Sequence, residues 1–114
     1  LPATFWMLVA LYPIWGIAQQ FALQALITRN LRRVAPRLSA RVVVAGVLFS
    51  GSHFPDWWLM LLTLPAGVVF SWIFERYRNV WALGLVHGLL GAFAYYLVLG
   101  KDPGAELLRL MTAL

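Results

Sequence analysis

Residues 57–74 read WWLMLLTLPAGVVFSWIF, a run of 18 residues without a single charged side chain. A helix needs about 20 mostly apolar residues to cross the hydrocarbon core of a bilayer, which is about 30 Å thick. This run therefore predicts a membrane-spanning helix. The two Trp residues at its start are typical of the interface between hydrocarbon and lipid headgroups.

Three further apolar runs surround this one: Ala3 to Thr28, Val42 to Phe54 and Val80 to Leu99. The run from Val42 to Phe54 is too short to cross fully, so we expect it to stop within the bilayer or to be buried by its neighbours. The chain is 62% hydrophobic and 11% charged, far from the composition of a soluble domain. We predict an all-α, polytopic transmembrane bundle of about four helices. Residues 1–114 form its single core domain, which we expect to be an excerpt of a longer chain.

The charged residues fall between the apolar runs in an alternating pattern. The first connection carries five Arg, the second only Asp56, and the third Glu75, Arg76 and Arg78. Because short cytoplasmic loops are enriched in Lys and Arg, we predict that the first and third connections face the cytoplasm. Residues 101–114 contain a Pro-Gly break followed by several Leu, which indicates a short amphipathic helix at the interface.

The net charge of +5 does not indicate a nucleic-acid partner. The basic residues lie in short loops and form no patch interleaved with aromatic side chains, so their expected partner is the lipid bilayer. The chain contains no Cys, which excludes disulfides and Cys-metal sites.

Five polar side chains interrupt the apolar runs: Gln19, Gln20, Gln24, His53 and His87. At 1.5 Å rise per residue, Gln19 lies roughly 14 Å, His53 roughly 18 Å and His87 roughly 12 Å from the nearest predicted cytoplasmic helix end. Since polar groups are costly inside a bilayer, this shared depth predicts one common site. The alternative is that these side chains only form hydrogen bonds that hold helices together.

Glycines lie near both histidines, with Gly84, Gly88 and Gly91 in the last run and Gly46 and Gly51 in the second. Small residues allow transmembrane helices to approach closely, so we expect these helices to pack tightly and to bring the histidines together.

Two histidines can act as acid, base or oxyanion donor, or can bind a metal ion. Zinc at His53 and His87 is the only metal site the sequence offers. It is a poor one, because zinc normally takes three or four protein ligands. No cofactor is otherwise predicted.

The polar residues resemble the motifs of the CPBP family of intramembrane endopeptidases, which includes CAAX prenyl proteases and Abi-type bacteriocin-processing proteins. The family motifs are Glu-Glu-x-x-x-Arg, Phe-x-x-x-His and His-x-x-x-Asn, in that order. The second is present as Phe49-Ser-Gly-Ser-His53, and His87 begins the third. The resemblance implies a membrane peptidase core acting on a membrane-associated or prenylated peptide. It implies catalytic positions at Gln19, Gln20, His53 and His87 and substrate contacts at Phe49, Gln24 and Gly91.

The first and third motifs are altered. Gln19 and Gln20 replace the paired Glu, Gln24 replaces the Arg, and Gly91 replaces the Asn. In the family, a motif Glu and a His are thought to activate water, and the other His and the Asn to stabilise the oxyanion. A Gln amide cannot take up the proton at neutral pH, and Gly has no side chain to donate a hydrogen bond. All three charged positions of the first motif are therefore occupied by neutral side chains.

Three functional hypotheses follow. The first is a peptidase with altered or weakened chemistry, in which His53 carries catalysis and His87 binds the oxyanion. The second is a pseudoprotease that binds a membrane peptide or a lipidated tail without cutting it. The third is a transporter or scaffold bundle, although the lack of titratable acids in the apolar runs disfavours a proton path. For all three we expect an integral membrane protein, placed in a bacterial plasma membrane.

The predicted topology can be tested with single cysteines, because the chain has none of its own. Cysteines placed at Arg33 and at Arg78 should be protected from an impermeant thiol reagent in intact cells, since both loops are predicted to be cytoplasmic. Both should react once the cells are permeabilised. Labelling of either position from outside would contradict the topology.

Overall fold

The computed structural model describes residues 1–114 and consists of five helices with no strand. They are α1 (Ala3–Leu31), α2 (Leu38–Gly51), α3 (Trp57–Tyr77), α4 (Val80–Val98) and α5 (Pro103–Ala113). By length and composition α1, α3 and α4 can cross a membrane, whereas α2 is a shorter apolar helix. The predicted transmembrane bundle is confirmed, and so is the short second run.

Three helices begin at a side chain that accepts a hydrogen bond from the backbone. The acceptors are Asp56 for α3, Asn79 for α4 and Asp102 for α5, each bonded to the amide three residues later. Such caps satisfy amides that have no partner within the helix. The chain can therefore turn sharply between neighbouring helices without leaving these amides unpaired.

The bundle is built from two helix pairs, α1 with α4 and α2 with α3. Helices α1 and α4 approach at glycines: a Cβ added to Gly16 would collide with the backbone of Gly84 and Gly88. A Cβ at Gly88 would likewise strike the backbone of Tyr12 and Pro13. The expected close packing is confirmed for the small residues on α4 and for Gly46, which packs against α3. It is wrong for Gly51, which has open space around it, and the glycine contacts pair α4 with α1 and α2 with α3, not α2 with α4.

The two pairs meet at a segment of α1 with π-helical hydrogen bonding, Phe21–Thr28, which contacts α2, α3 and α4. The Thr28 hydroxyl donates to the carbonyl oxygen of Leu23, five residues earlier, at 3.0 Å. Short π-helical turns inside α-helices are frequent at functional sites. Here the segment closes the bundle on one side of the candidate site.

An ion cluster joins the loops at the end of the bundle nearest this segment. Glu75 accepts from Arg32 at 2.7 Å, Arg41 at 3.1 Å and Arg78 at 3.4 Å, and its side chain is only 6% exposed. The first and third connections therefore lie at the same end of the bundle, as the charge pattern predicted. Which compartment this end faces stays a prediction.

Helix α5 lies at the opposite end. The Thr4 hydroxyl donates to Asp102 at 2.7 Å, and Gly104 is buried against Thr4 and Leu8 of α1. The tail is thus a helix as expected. It exposes an apolar set suited to the interface: Leu107, Leu108, Leu110 and Met111.

The glycine contact yields a stability prediction. Gly88→Ala should destabilise the bundle by about 1–3 kcal/mol, because the added methyl group must push two backbones apart. Gly51→Ala is the matched control, since nothing lies within 4 Å of a Cβ at that position. Denaturant unfolding in detergent micelles would measure both variants. Equal stabilities would show that α1 and α4 do not need this contact.

Candidate functional site

A cavity of about 240 Å³ lies between the two helix pairs, on the α5 side of the π-helical segment. All four long helices contribute to its wall, which is mainly apolar. The polar members of the wall come from four different parts of the chain: Gln19, His53, Thr63, His87, Tyr12 and Tyr95. The structure thus brings both histidines and one glutamine of the first motif to one cavity.

His53 lies in the turn that follows α2, two residues beyond the end of that helix. Its Nδ1 atom is 2.8 Å from the carbonyl oxygen of Phe49 and 3.3 Å from the Ser52 hydroxyl oxygen. A carbonyl oxygen can only accept, so Nδ1 of His53 carries the proton. In the uncharged form of this ring the lone pair is therefore on Nε2, where it can accept a proton or a hydrogen bond.

His87 lies on α4, and its ring is fixed between two phenylalanines. Phe70 stacks on it at 5.6 Å between ring centroids, and Phe49 meets it edge-to-face at 5.2 Å. Phe49 also packs edge-to-face against His53 at 5.0 Å, so one phenyl ring lies beside both imidazoles. The second motif therefore supplies both a histidine and the aromatic ring that separates it from His87.

Gln20 and Gln24, which the sequence assigned to the cavity, are fully buried behind it and do not line it. The Gln20 amide nitrogen is 2.9 Å from Nδ1 of His87. Gln24 donates to the Gln20 side-chain oxygen at 3.1 Å and to the Ser71 hydroxyl at 3.3 Å. Neither amide therefore reaches the cavity directly, and His87 lies between them and the open space. Residues four apart share one face of a helix, so α1 turns Gln20 and Gln24 towards α4 and α3 and leaves Gln19 beside the cavity.

Ser71 was missed by sequence reasoning. It is completely buried on α3 and is the last member of the hydrogen-bonded row that starts at His87. A serine in an apolar helix usually bonds to its own backbone, so nothing in the local sequence distinguishes it. Only the packing of α3 against α1 shows that it meets Gln24.

Gly91 does line the cavity, beside Tyr12. A Cβ at Gly91 would lie 3.3 Å from the Tyr12 ring, so a larger side chain there would displace the ring or fill the cavity. The open volume next to His87 thus depends on the glycine that replaces the motif Asn.

No carboxylate lines this cavity. Glu75 is held in the arginine cluster at the far end of the bundle. Asp102 bonds to Thr4, and Asp56 pairs with Lys101. The cavity wall therefore carries hydrogen-bonding groups but no fixed charge.

A polar vestibule connects to the cavity through four shared wall residues: Tyr12, His53, Leu59 and Tyr95. Its own charged groups are Asp56, Lys101 and Glu106, contributed by the starts of α3 and α5 and the turn between α4 and α5. Water and polar ligand groups can thus approach His53 from the α5 side.

The family comparison agrees with this geometry. The sequence model of the Type II CAAX prenyl endopeptidase Rce1-like family matches residues 1–93. The chain belongs to this family. The match covers all four helices around the cavity as far as Phe93 and both histidines, and it confirms the resemblance drawn from the motifs. No curated protein and no solved structure matches the chain.

Membership in the CAAX endopeptidase family makes this an integral membrane protein of a peptidase family, which favours the first two hypotheses over a transporter or scaffold. A metal centre does not fit the residues present. No group of three His, Asp or Glu that could hold a metal ion occurs in the structure, and two neutral imidazoles are too few for zinc.

The contacts that hold α5 across the vestibule predict a pH dependence. The hydrogen bond from Lys101 lowers the pKa of the Asp56 carboxyl, and the hydrogen bond from Thr4 lowers the pKa of Asp102. A lowered pKa means that the bond stabilises docking above the usual carboxyl value and that this contribution is lost as the pH falls through the lowered one.

Spin labels on Arg109 and Trp57 should therefore report a fixed distance at neutral pH and a broader distribution once the pH falls through the lowered pKa values, which lie under the usual carboxyl value of about 3.9. The double variant Asp56→Asn, Asp102→Asn should show little change between these pH values. A distribution in the unaltered protein that is the same at both pH values would show that these carboxylates do not hold α5.

Proposed function

We propose that this protein binds a membrane-associated or prenylated peptide tail in the cavity beside His53 and His87 and cleaves it weakly or not at all. The observation that carries the proposal is an apolar cavity with two histidines and no carboxylate in its wall. The location we propose is a bacterial plasma membrane.

Binding is supported by the character of the cavity wall. Apolar residues from all four helices would surround a lipid or apolar side chain, and burial of such a group is favourable by about 25 cal/mol per Å². The few polar groups lie together, which suits a ligand with one peptide group near an apolar tail. Gln19 and the Nε2 side of His87 supply hydrogen bonds to such a group.

Weak peptidase activity is supported by the residues at the positions of the motif Glu and Asn, which are Gln19 and Gly91 here. Gln19 stands in the cavity wall as a neutral amide, so the motif position that would supply a general base offers no carboxylate there. Loss of a general base typically costs a factor of about 10²–10⁴ in rate. Gly91 offers no side-chain donor, and loss of one oxyanion donor costs about 10²–10³.

Slow hydrolysis is the second candidate, and the proton position on His53 favours it. Nε2 of His53 can accept a proton from water while the oxygen attacks the peptide carbonyl carbon. Nε2–H of His87 can donate to the carbonyl oxygen as it becomes negative. The proton on His53 then passes to the leaving amine, which breaks the C–N bond and restores the neutral imidazole.

Binding can be tested with a prenylated peptide that carries a photoreactive group on its lipid. In lipid nanodiscs, labelling of the unaltered protein should be saturable and should map to residues of the cavity wall. Gly91→Leu should reduce labelling by roughly tenfold or more, because the new side chain occupies volume that the apolar group would fill.

Gly51→Leu is the matched control, because position 51 is exposed with open space around it. It should label like the unaltered protein. Equal labelling of the Gly91 and Gly51 variants would show that the peptide does not bind in this cavity.

Cleavage is tested by mass spectrometry of the same peptide, with His53→Ala as the blank. The unaltered protein should give little or no product. The combined variant Gln19→Glu, Gln20→Glu, Gln24→Arg, Gly91→Asn should give more, because it restores the family's charged and amide groups. Single restorations should do little, since a lone buried carboxylate lacks the cation that would keep it ionised.

Robust cleavage by the unaltered protein that disappears in His53→Ala would overturn the weak-chemistry proposal. It would show that His53 supports cleavage without the carboxylates of the family motif.

A further inference from the structure

Behind the cavity, a row of side chains is joined by hydrogen bonds whose donors and acceptors the family motifs do not specify. It runs from His87 through Gln20 and Gln24 to Ser71, and the last three are completely buried. Neighbouring hydrogen bonds in the row share an amide, so the orientation of Gln24 constrains the orientation of Gln20. We propose that Gln24 and Ser71 are positioning residues that hold Gln20 so that His87 carries its proton on Nε2, towards the cavity.

The first step concerns Gln24. Its amide nitrogen has two N–H groups, and it reaches two oxygens, Gln20 Oε1 and Ser71 Oγ. Its own side-chain oxygen is buried and has no partner. Gln24 is thus oriented to use both donors and to leave one acceptor unpaired.

The second step is the comparison with the reversed row. If both amides were rotated by half a turn, Gln20 would donate to Gln24, and the Gln24 nitrogen would occupy the place of the unpaired oxygen. Both N–H groups of Gln24 would then point away from the Gln20 and Ser71 oxygens, the two acceptors that they reach in the structure. Buried N–H groups without partners are rarer in proteins than under-satisfied carbonyl oxygens, so the observed direction is favoured.

The third step concerns His87, whose tautomer depends on the orientation of Gln20. Because Gln20 Oε1 accepts from Gln24, its NH₂ group faces Nδ1 of His87 and must donate to it. Nδ1 therefore keeps its lone pair, and the neutral ring carries its proton on Nε2. Gln20 lies outside the cavity wall, so the opposite edge of the ring, with Nε2–H, faces the cavity.

The two histidines consequently hold their protons on different nitrogens. Phe49 fixes the proton of His53 on Nδ1, and the row behind the cavity fixes that of His87 on Nε2. When both rings are uncharged, one cavity thus offers one acceptor and one donor, and no charged side chain lines it. A peptide bond, with its own N–H and C=O, is the complementary ligand class. This last point rests on the proposed function, whereas the proton positions do not.

The test is ¹⁵N NMR of histidine-labelled protein in nanodiscs without peptide, since protonated and unprotonated ring nitrogens resonate in separate regions. His53→Ala and His87→Ala assign the signals. The expected result is Nε2–H for His87 and Nδ1–H for His53. A His87 ring with its proton on Nδ1 would overturn the proposal without any variant, and it would leave the binding proposal standing.

The positioning role is tested by Gln24→Met and Ser71→Ala. Without Gln24, the Gln20 amide can rotate, so the ratio of Nε2–H to Nδ1–H in His87 should fall by roughly fivefold, with a smaller fall for Ser71→Ala. Thr28→Val is the control, because Thr28 is equally buried but bonds only to Leu23. The His53 signals should stay unchanged in all three. An unchanged His87 ratio in both test variants would show that Gln24 and Ser71 do not position the ring.

Discussion

The contact between the backbones of α1 and α4 at Gly16, Gly84 and Gly88 determines the rest of the site. Gly16 and Gln20 are four residues apart and lie on the same face of α1, so the glycine contact fixes the height at which Gln20 meets α4. That height is the height of His87, which precedes Gly88. With larger residues the helices would lie further apart, and a hydrogen bond of 2.9 Å between Gln20 and His87 could not form.

The bilayer imposes the second constraint, since an unpaired polar group in hydrocarbon costs several kcal/mol. The structure meets it by placing Gln20, Gln24 and Ser71 in one hydrogen-bonded row away from lipid. Such a row satisfies nearly all of its members and needs no charge. The charged groups are kept at the two ends of the bundle, with Glu75 among arginines at one end and Asp56 beside Lys101 at the other.

The departures from the family motifs are consistent with this arrangement. Positions 20 and 24 carry Glu and Arg in the family pattern and two amides here, and these amides are hydrogen-bonded to each other. Gln20 also bonds to His87, so the ring has a polar partner at position 20 that is not a carboxylate. Position 19, in the cavity wall, loses its carboxylate as well, and the cavity is left with hydrogen-bonding groups of fixed direction.

The sequence by itself determined the membrane class, the number of helices and the pairing of the loop charges at one end, because hydrocarbon thickness sets segment length and apolar composition is local information. The motifs also identified His53, His87 and the family. The sequence could not separate Gln19 from Gln20, or find Ser71, because these assignments depend on which face of α1 turns towards α3 and α4. Only the tertiary structure decided this, through the glycine contact that sets the rotation and height of α1. The vestibule likewise needed the structure, since it forms where the starts of α3 and α5, far apart in the chain, lie side by side.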